Sequence, residues 1–310
     1  MESFDGNTTG QEVVTAFASS VAAKTRSLGA ETAKQLASAK YLILAGRNEA
    51  KIKPVIDEIR AFNPNGKTTF VQVDLASNES VRRAAAEINA LPGLDHLDIV
   101  INAAGNMALR TYQTSSDGVE LQFAANHLGH FLLTKLILDK ILAAPAPTVV
   151  NLTSTGYELG ECNFEDPNFN ASRADVPESQ LQTTNGVDMD LMMEGYKLAV
   201  ARNNGLDLSD QKLRTVQNCI DRCLGKPVPP QETRTLQQGC ATILLAALDT
   251  SLRSKIHTKS ARTHKPKSDI QAGKSPALLF EGKVYTNTKA YALDKQDAKK
   301  LWDLSERLTQ

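Results

Sequence analysis

LDIVINAAG (residues 97–105) decides the reading of this chain. Its apolar residues fall on both alternating faces, and it ends on Asn102 followed by the small residues Ala103, Ala104 and Gly105. A strand apolar on both faces is one covered by helices on both sides, and small residues beyond its end let a backbone approach a ligand closely. Working outward, YLILAG (41–46), TFVQVDL (69–75) and PTVVNLTS (147–154) read as strands of the same kind. Residues 49–62, 77–91 and 117–143 carry apolar positions at helical spacing, with Glu or Lys on the other face. Asp74, Ser77, Glu79 and Ser80 stand where a helix cap is expected, and Gly66, Gly93 and Gly105 punctuate the elements. The order β-α-β-α-β-α-β predicts the α/β class, with a doubly wound parallel sheet.

The rest of the chain is less regular. Residues 11–38 read as two helical pieces, and 158–190 as a polar, acidic, turn-rich loop. Helical patterns return at 189–202, 208–224, 233–248 and 295–308. Residues 251–274 are rich in Lys and Arg against the single acid Asp269, and read as a solvated basic loop. The expectation is one domain over 1–310, with 1–157 its nucleotide-facing part and 158–310 loop-rich and helical.

Lys+Arg 35 against Asp+Glu 35 leaves no net charge, which argues against a nucleic-acid partner. No apolar run reaches the roughly 20 residues of a membrane span; Phe131 to Ala144 is interrupted by Lys135, Asp139 and Lys140. The amino terminus lacks the basic and apolar regions of a secretory signal. Cys162, Cys219, Cys223 and Cys240 are too few for a disulfide framework, so a reducing, cytoplasmic setting is expected. Cys219 and Cys223 share a helical face without the neighbours a zinc site needs, and the histidines form no metal motif. No metal is expected.

In open α/β sheets, ligands bind at the carboxyl ends of the strands, so the residues closing each strand carry the functional information. Arg47 follows the first strand, where a guanidinium can pair bidentately with the 2′-phosphate of a nucleotide. That points to NADP (NADPH). Asp74 closes the second strand, where it either accepts from an adenine amino group or caps a helix. Ser154 closes the fourth.

LAGRN, VDLAS, LDIVINAAGNM, DGVELQFAANHLGHFLLTKLIL and VVNLTSTG resemble successive blocks of the short-chain dehydrogenase/reductase family, in its order and spacing. ANHLGHFLLT, TLQQGCATILLAAL (235–248) and DAKKLWDLSERL (297–308) are similar to its retinol-dehydrogenase-like branch. The resemblance implies a Rossmann-like fold and a small-molecule alcohol or carbonyl substrate, and leaves a homo-oligomer open. It implies that Asp74 contacts adenine, Asn102 lies along the cofactor ribose, and Lys135 is linked to cofactor binding. Asn126 matches a helix asparagine that holds a water in a proton relay, and Ser154 matches the serine that hydrogen-bonds the reacting carbonyl or alcohol. His127 and His130 match structural positions.

Two blocks of that family have no counterpart. Leu28 and Gly29 look like the tail of a glycine-rich pyrophosphate loop, but Ser27 stands where a glycine belongs and the preceding strand is missing. This leaves a gap between the first two strands and the last two. The Tyr-x-x-x-Lys pair, which lowers a phenol's pKa through an ammonium one turn away, is also missing. Tyr157 and Tyr196 lack the spacing, and Tyr285 with Lys289 reads as coincidence. Two readings follow: an NADP-dependent oxidoreductase interconverting an alcohol with a ketone or aldehyde, and a catalytically impaired relative that binds NADPH weakly.

Overall fold

A computed structural model describes residues 28–106, 109, 112–154, 157, 162–170, 236–248, 279–280 and 283–310. Helix α1 (Leu28–Gln35) leads into strand β1 (Tyr41–Gly46), buried along its whole length. Asn48 then caps α2 (Glu49–Phe62) by accepting from Lys51 N at 3.2 Å. Strand β2 (Lys67–Gln72) follows, and Ser77 caps α3 (Asn78–Ala90). Strand β3 (Ile99–Asn102) precedes a helical run: α4 (Leu121–Phe123), a π turn (Ala124–Leu128), α5 (Gly129–Leu136) and α6 (Leu138–Leu142). Strand β4 (Thr148–Asn151), helix α7 (Leu236–Leu248), the short strands β5 (Leu279–Phe280) and β6 (Lys283–Val284), a 3₁₀ turn (Ala290–Leu293) and helix α8 (Lys295–Leu308) complete the described elements.

β1 pairs in parallel with β2 from Tyr41↔Lys67 to Gly46↔Gln72, and β3 in parallel with β4 from Ile99↔Thr148 to Asn102↔Asn151. Among the described residues β1 and β3 do not pair with each other, so the parallel strands form two ribbons. The hydrophobic core nevertheless ignores that division. Leu42, Leu44, Ile99, Ile101 and Val150 point to one side, into a cluster with α1, α2 and α7. Tyr41, Ile43, Ala45, Val71 and Val100 point to the other, where α3 and α5 cover them. Each fully buried Ile or Leu of these layers stabilises the fold by about 2 kcal/mol. The result is the expected α/β architecture, helices on both sides of parallel strands.

The sequence expectations for 49–62 and 295–308 match α2 and α8 end for end. The strands are shorter than expected: 69–75 is observed as Lys67–Gln72, 97–105 as Ile99–Asn102 and 147–154 as Thr148–Asn151. Their trailing residues leave the ladder and become the loops of the site. The helix expected over 117–143 is corrected most. Gly118 has φ +75°, Ser115 N bonds Val119 O in a tight turn, and Glu120 caps a helix that starts only at Leu121. At its far end Ile137, with φ −104° and ψ 9°, separates α5 from α6. The expected helices 11–23, 189–202 and 208–224 and the basic loop 251–274 lie outside the described residues, as do Cys219 and Cys223. No described helix is long and apolar enough to cross a membrane.

Candidate functional site

The carboxyl ends of both ribbons meet one short helical segment. On the β3–β4 side, Asn102 Nδ2 donates to Asn151 Oδ1 at 2.8 Å and to Thr134 Oγ1 of α5 at 3.1 Å. Leu152 N donates to Asn102 O at 3.1 Å, carrying β4 onward to Ser154. Asn126, in the π turn, clasps the backbone just beyond β3: its Oδ1 accepts from Asn106 N at 2.6 Å and its Nδ2 donates to Asn106 O at 2.7 Å. One turn further, His130 Nε2 bonds the Ala104 carbonyl at 2.8 Å. A carbonyl only accepts, so His130 carries its proton on Nε2. Burial lowers its pKa, and the buried Nδ1 lone pair has no partner among the described residues.

On the β1–β2 side the same segment abuts the chain just past Asp74. Gly129 sits so close to Leu75 that an added Cβ would lie 2.2 Å from Leu75 O, a backbone atom that cannot swing away. Glycine is therefore required at the junction of the π turn and α5. Gly105 is similarly placed, because an added Cβ would come 3.3 Å from Asn126 Oδ1. A π turn inside an α-helix commonly marks a functional site. This one lies between the ends of two ribbons and touches both.

The other expected site residues fall around this junction. Arg47 follows β1, exposed, its guanidinium without an ion-pair partner among the described residues. Asp74 Oδ1 accepts from Ala76 N at 3.0 Å and Asp74 N donates to Ser80 Oγ at 2.9 Å, while Ser77 is the residue that caps α3. Asp74 therefore keeps an oxygen beyond its local turn. Leu28 and Gly29 open α1, whose first-turn N–H groups have no partner within the helix. Ser154 is exposed at the end of β4, its carbonyl accepting from Tyr157 N at 3.1 Å. Lys135 is not drawn to the strand ends: its ammonium pairs with Glu306 of α8.

A nicotinamide dinucleotide fits these residues on structural grounds. Among the described residues Arg47 offers an uncommitted cation, Asp74 an open carboxylate oxygen, and Asn102 Oδ1 a buried acceptor without a partner. Arg47 and Asp74 lie at the end of one ribbon and Asn102 at the end of the other. Among the described residues no cluster of His, Cys, Asp or Glu could hold a metal ion. Cys240 is an inert core thiol, pushed up to about 12 chiefly by burial and secondarily by Glu31.

What sequence reading missed is the carboxyl-terminal contact with this segment. Phe123, His127 and Phe131 stack at helical spacing, Phe131 meets Trp302 of α8 edge-on, and His127 Nε2 lies 2.8 Å from Ser305 Oγ. The recurrence of aromatic or imidazole rings every four residues was the available signal, but nothing local named the partner.

Parallel ribbons covered by helices, with polar residues gathered at their carboxyl ends, define a Rossmann-like α/β protein. Residues 19–174 match the family model for short chain dehydrogenase, and the chain belongs to that family of nicotinamide-dependent oxidoreductases. It is 36% identical over 157 residues to human retinol dehydrogenase 13, an alignment covering 50% of this chain and 46% of that protein. It is 30% identical over 191 residues to the oxidoreductase fscI of Fusarium equiseti, covering 57% and 73% respectively. The chain spans about half the length of the retinol dehydrogenases it matches. A crystal structure of an uncharacterized protein from Mycobacterium paratuberculosis, 25% identical, superposes over 97% of each chain with a TM-score of 0.56.

Proposed function

We propose that this chain is an NADP-dependent short-chain oxidoreductase that interconverts a small-molecule alcohol with a ketone or aldehyde. The observation that carries the reading is the π turn, which braces Asn126 against the backbone beyond β3 while Gly129 packs against the end of β2. In this reading the chain is one Rossmann-like domain, with 1–157 holding the cofactor and 158–310 shaping the substrate side. Arg47 pairs with the 2′-phosphate, which favours NADPH over NADH. Asp74 accepts from adenine, Asn102 lies along the ribose, and the first turn of α1 at Leu28 and Gly29 faces the pyrophosphate. Lys135 acts indirectly, through its pair with Glu306.

When bound, the nicotinamide supplies or accepts the hydride. Ser154 Oγ would hydrogen-bond the substrate oxygen as charge develops on it. Asn126 would order a water for proton exchange. No tyrosine with a lysine one turn on is placed beside Ser154 among the described residues, so the proton would pass through water held by this segment. The second reading, a relative that binds the cofactor poorly, is supported by the separation of the two ribbons among the described residues and by Ser27 in place of a loop glycine.

Fluorescence titration with NADPH tests both readings. Saturable binding at micromolar concentration, with turnover of an alcohol or carbonyl panel abolished by Ser154→Ala and retained in Tyr285→Phe, supports the enzyme. Binding absent up to millimolar NADPH supports the impaired relative.

A further inference from the structure

The segment from Lys289 to Thr309 touches both elements that carry the candidate catalytic residues. Tyr291 donates its hydroxyl to Tyr157 O at 2.6 Å and meets the Tyr157 ring edge-on, three residues beyond Ser154. Lys289 N donates to the Tyr157 hydroxyl at 3.4 Å. Asp294 then caps α8, accepting from Gln296 N at 2.6 Å and Asp297 N at 3.1 Å. The helix lies along the Phe123–His127–Phe131 stack, and its end is fastened to α3: Asn78 Nδ2 donates to Leu308 O at 2.9 Å and Arg82 Nη2 to Thr309 O at 2.5 Å.

The central contact fixes a tautomer. Ser305 Oγ has one proton and donates it to Leu301 O at 2.6 Å. Toward His127 it can therefore only accept, so His127 carries its proton on Nε2 and a lone pair on Nδ1. Burial, with His130 as a secondary cause, lowers the His127 pKa to about 4, so the neutral ring is the form held. Titratable or charged groups on the surrounding elements include His130 and Lys135 on α5, Asp303, Glu306 and Arg307 on α8, and Glu79 and Arg82 on α3. His127 is the neighbour of Asn126 in the π turn. Replacing the π turn by regular α-helix would change the register of the segment and rotate Asn126 away from Asn106.

We infer that Ser305 is a positioning residue: by fixing the neutral Nε2–H form of His127 against α8, it holds the π turn that aims Asn126 at the site. Tyr291 does the same for the loop after Ser154, so the carboxyl-terminal segment is a template for both residues. The inference rests on the proposed roles of Asn126 and Ser154.

The test compares full-length wild type with Ser305→Ala and Trp302→Ala, reading the His127 ring nitrogens and the Asn126 side-chain amide by ¹⁵N NMR, and kcat and KM with NADPH. Ser305→Ala should release His127 from a single tautomer, shift the Asn126 amide, and lower kcat about ten-fold with KM for NADPH within about two-fold. Trp302→Ala should shift the same amide to a smaller extent, and it decides the question if Ser305→Ala does not fold. Unchanged Asn126 signals and unchanged kcat in a folded variant would overturn the inference. If wild type turns over no substrate, the enzyme reading fails while the Asn126 signals still decide whether α8 positions the π turn.

Discussion

The two parallel ribbons are built for different tasks. β1 is apolar and buried throughout, and its ladder with β2 runs six pairs from Tyr41↔Lys67 to Gly46↔Gln72; β2 carries polar residues there, and its Thr69 hydroxyl is paired with that of Tyr41 at 3.1 Å. β3–β4 is shorter, and its ladder holds buried polar atoms: Asn102 Nδ2 bonds Asn151, but Asn102 Oδ1 and Thr148 Oγ1 have no partner among the described residues. An unpartnered buried acceptor costs about 1–3 kcal/mol, so it persists where something other than stability is served. In the proposed reading the first ribbon presents the charge of Arg47 to the nucleotide, and the second accepts a cost in stability to place amides beside the reacting groups.

The sharpest way to break this comparison is to separate the ribbons at the segment that touches both. Gly129→Ala drives a methyl into Leu75 O and should destabilise the protein by about 3 kcal/mol or more, read by urea unfolding. Acid should act on the same segment. His127 is neutral in the fold with its pKa lowered to about 4 against 6.5 when unfolded, so its contribution is complete above pH 6.5 and is lost as pH falls from 6.5 toward 4. The loss is on the order of 3 kcal/mol, with His130 shifting in the same direction, and unfolding midpoints measured between pH 7 and 4 check it. Asn102→Ala leaves Asn151 Oδ1 without its donor and should cost about 2 kcal/mol while weakening NADPH binding. Arg47→Ala, at an exposed site, should leave stability within about 0.5 kcal/mol of wild type. It should also weaken NADPH binding about ten-fold and NADH binding hardly at all, a difference that titration with each nucleotide measures.

The β1–β2 ribbon was the legible one, because its determinants are local. Ser77 caps its helix as its position foretells, and the apolar period of α2 ends at Phe62 as expected. The β3–β4 ribbon was legible in composition but not in extent. Ala103 and Ala104 fall in the apolar run, yet the ladder ends at Asn102 and the Ala104 carbonyl accepts from His130 Nε2 on the helix. The apparent helix 117–143 hid a positive-φ glycine and a π turn, since the bonds that hold the turn run from Asn126 to Asn106, twenty residues away along the chain. Lys135 could be placed on a helix but not aimed, because its partner Glu306 lies 171 residues on. Ser305 was invisible for the same reason: its role exists only once α8 is docked.

The most direct test of the central claim, that both ribbons end in one nucleotide site, is a ¹⁵N NMR titration of the full chain with NADPH. Saturable shifts should appear together at Arg47 and Asp74 past the first ribbon and at Asn102 and Asn126 around the second, with the Arg47 shift lost when NADH replaces NADPH. Shifts confined to one ribbon, or none at saturating nucleotide, would contradict it.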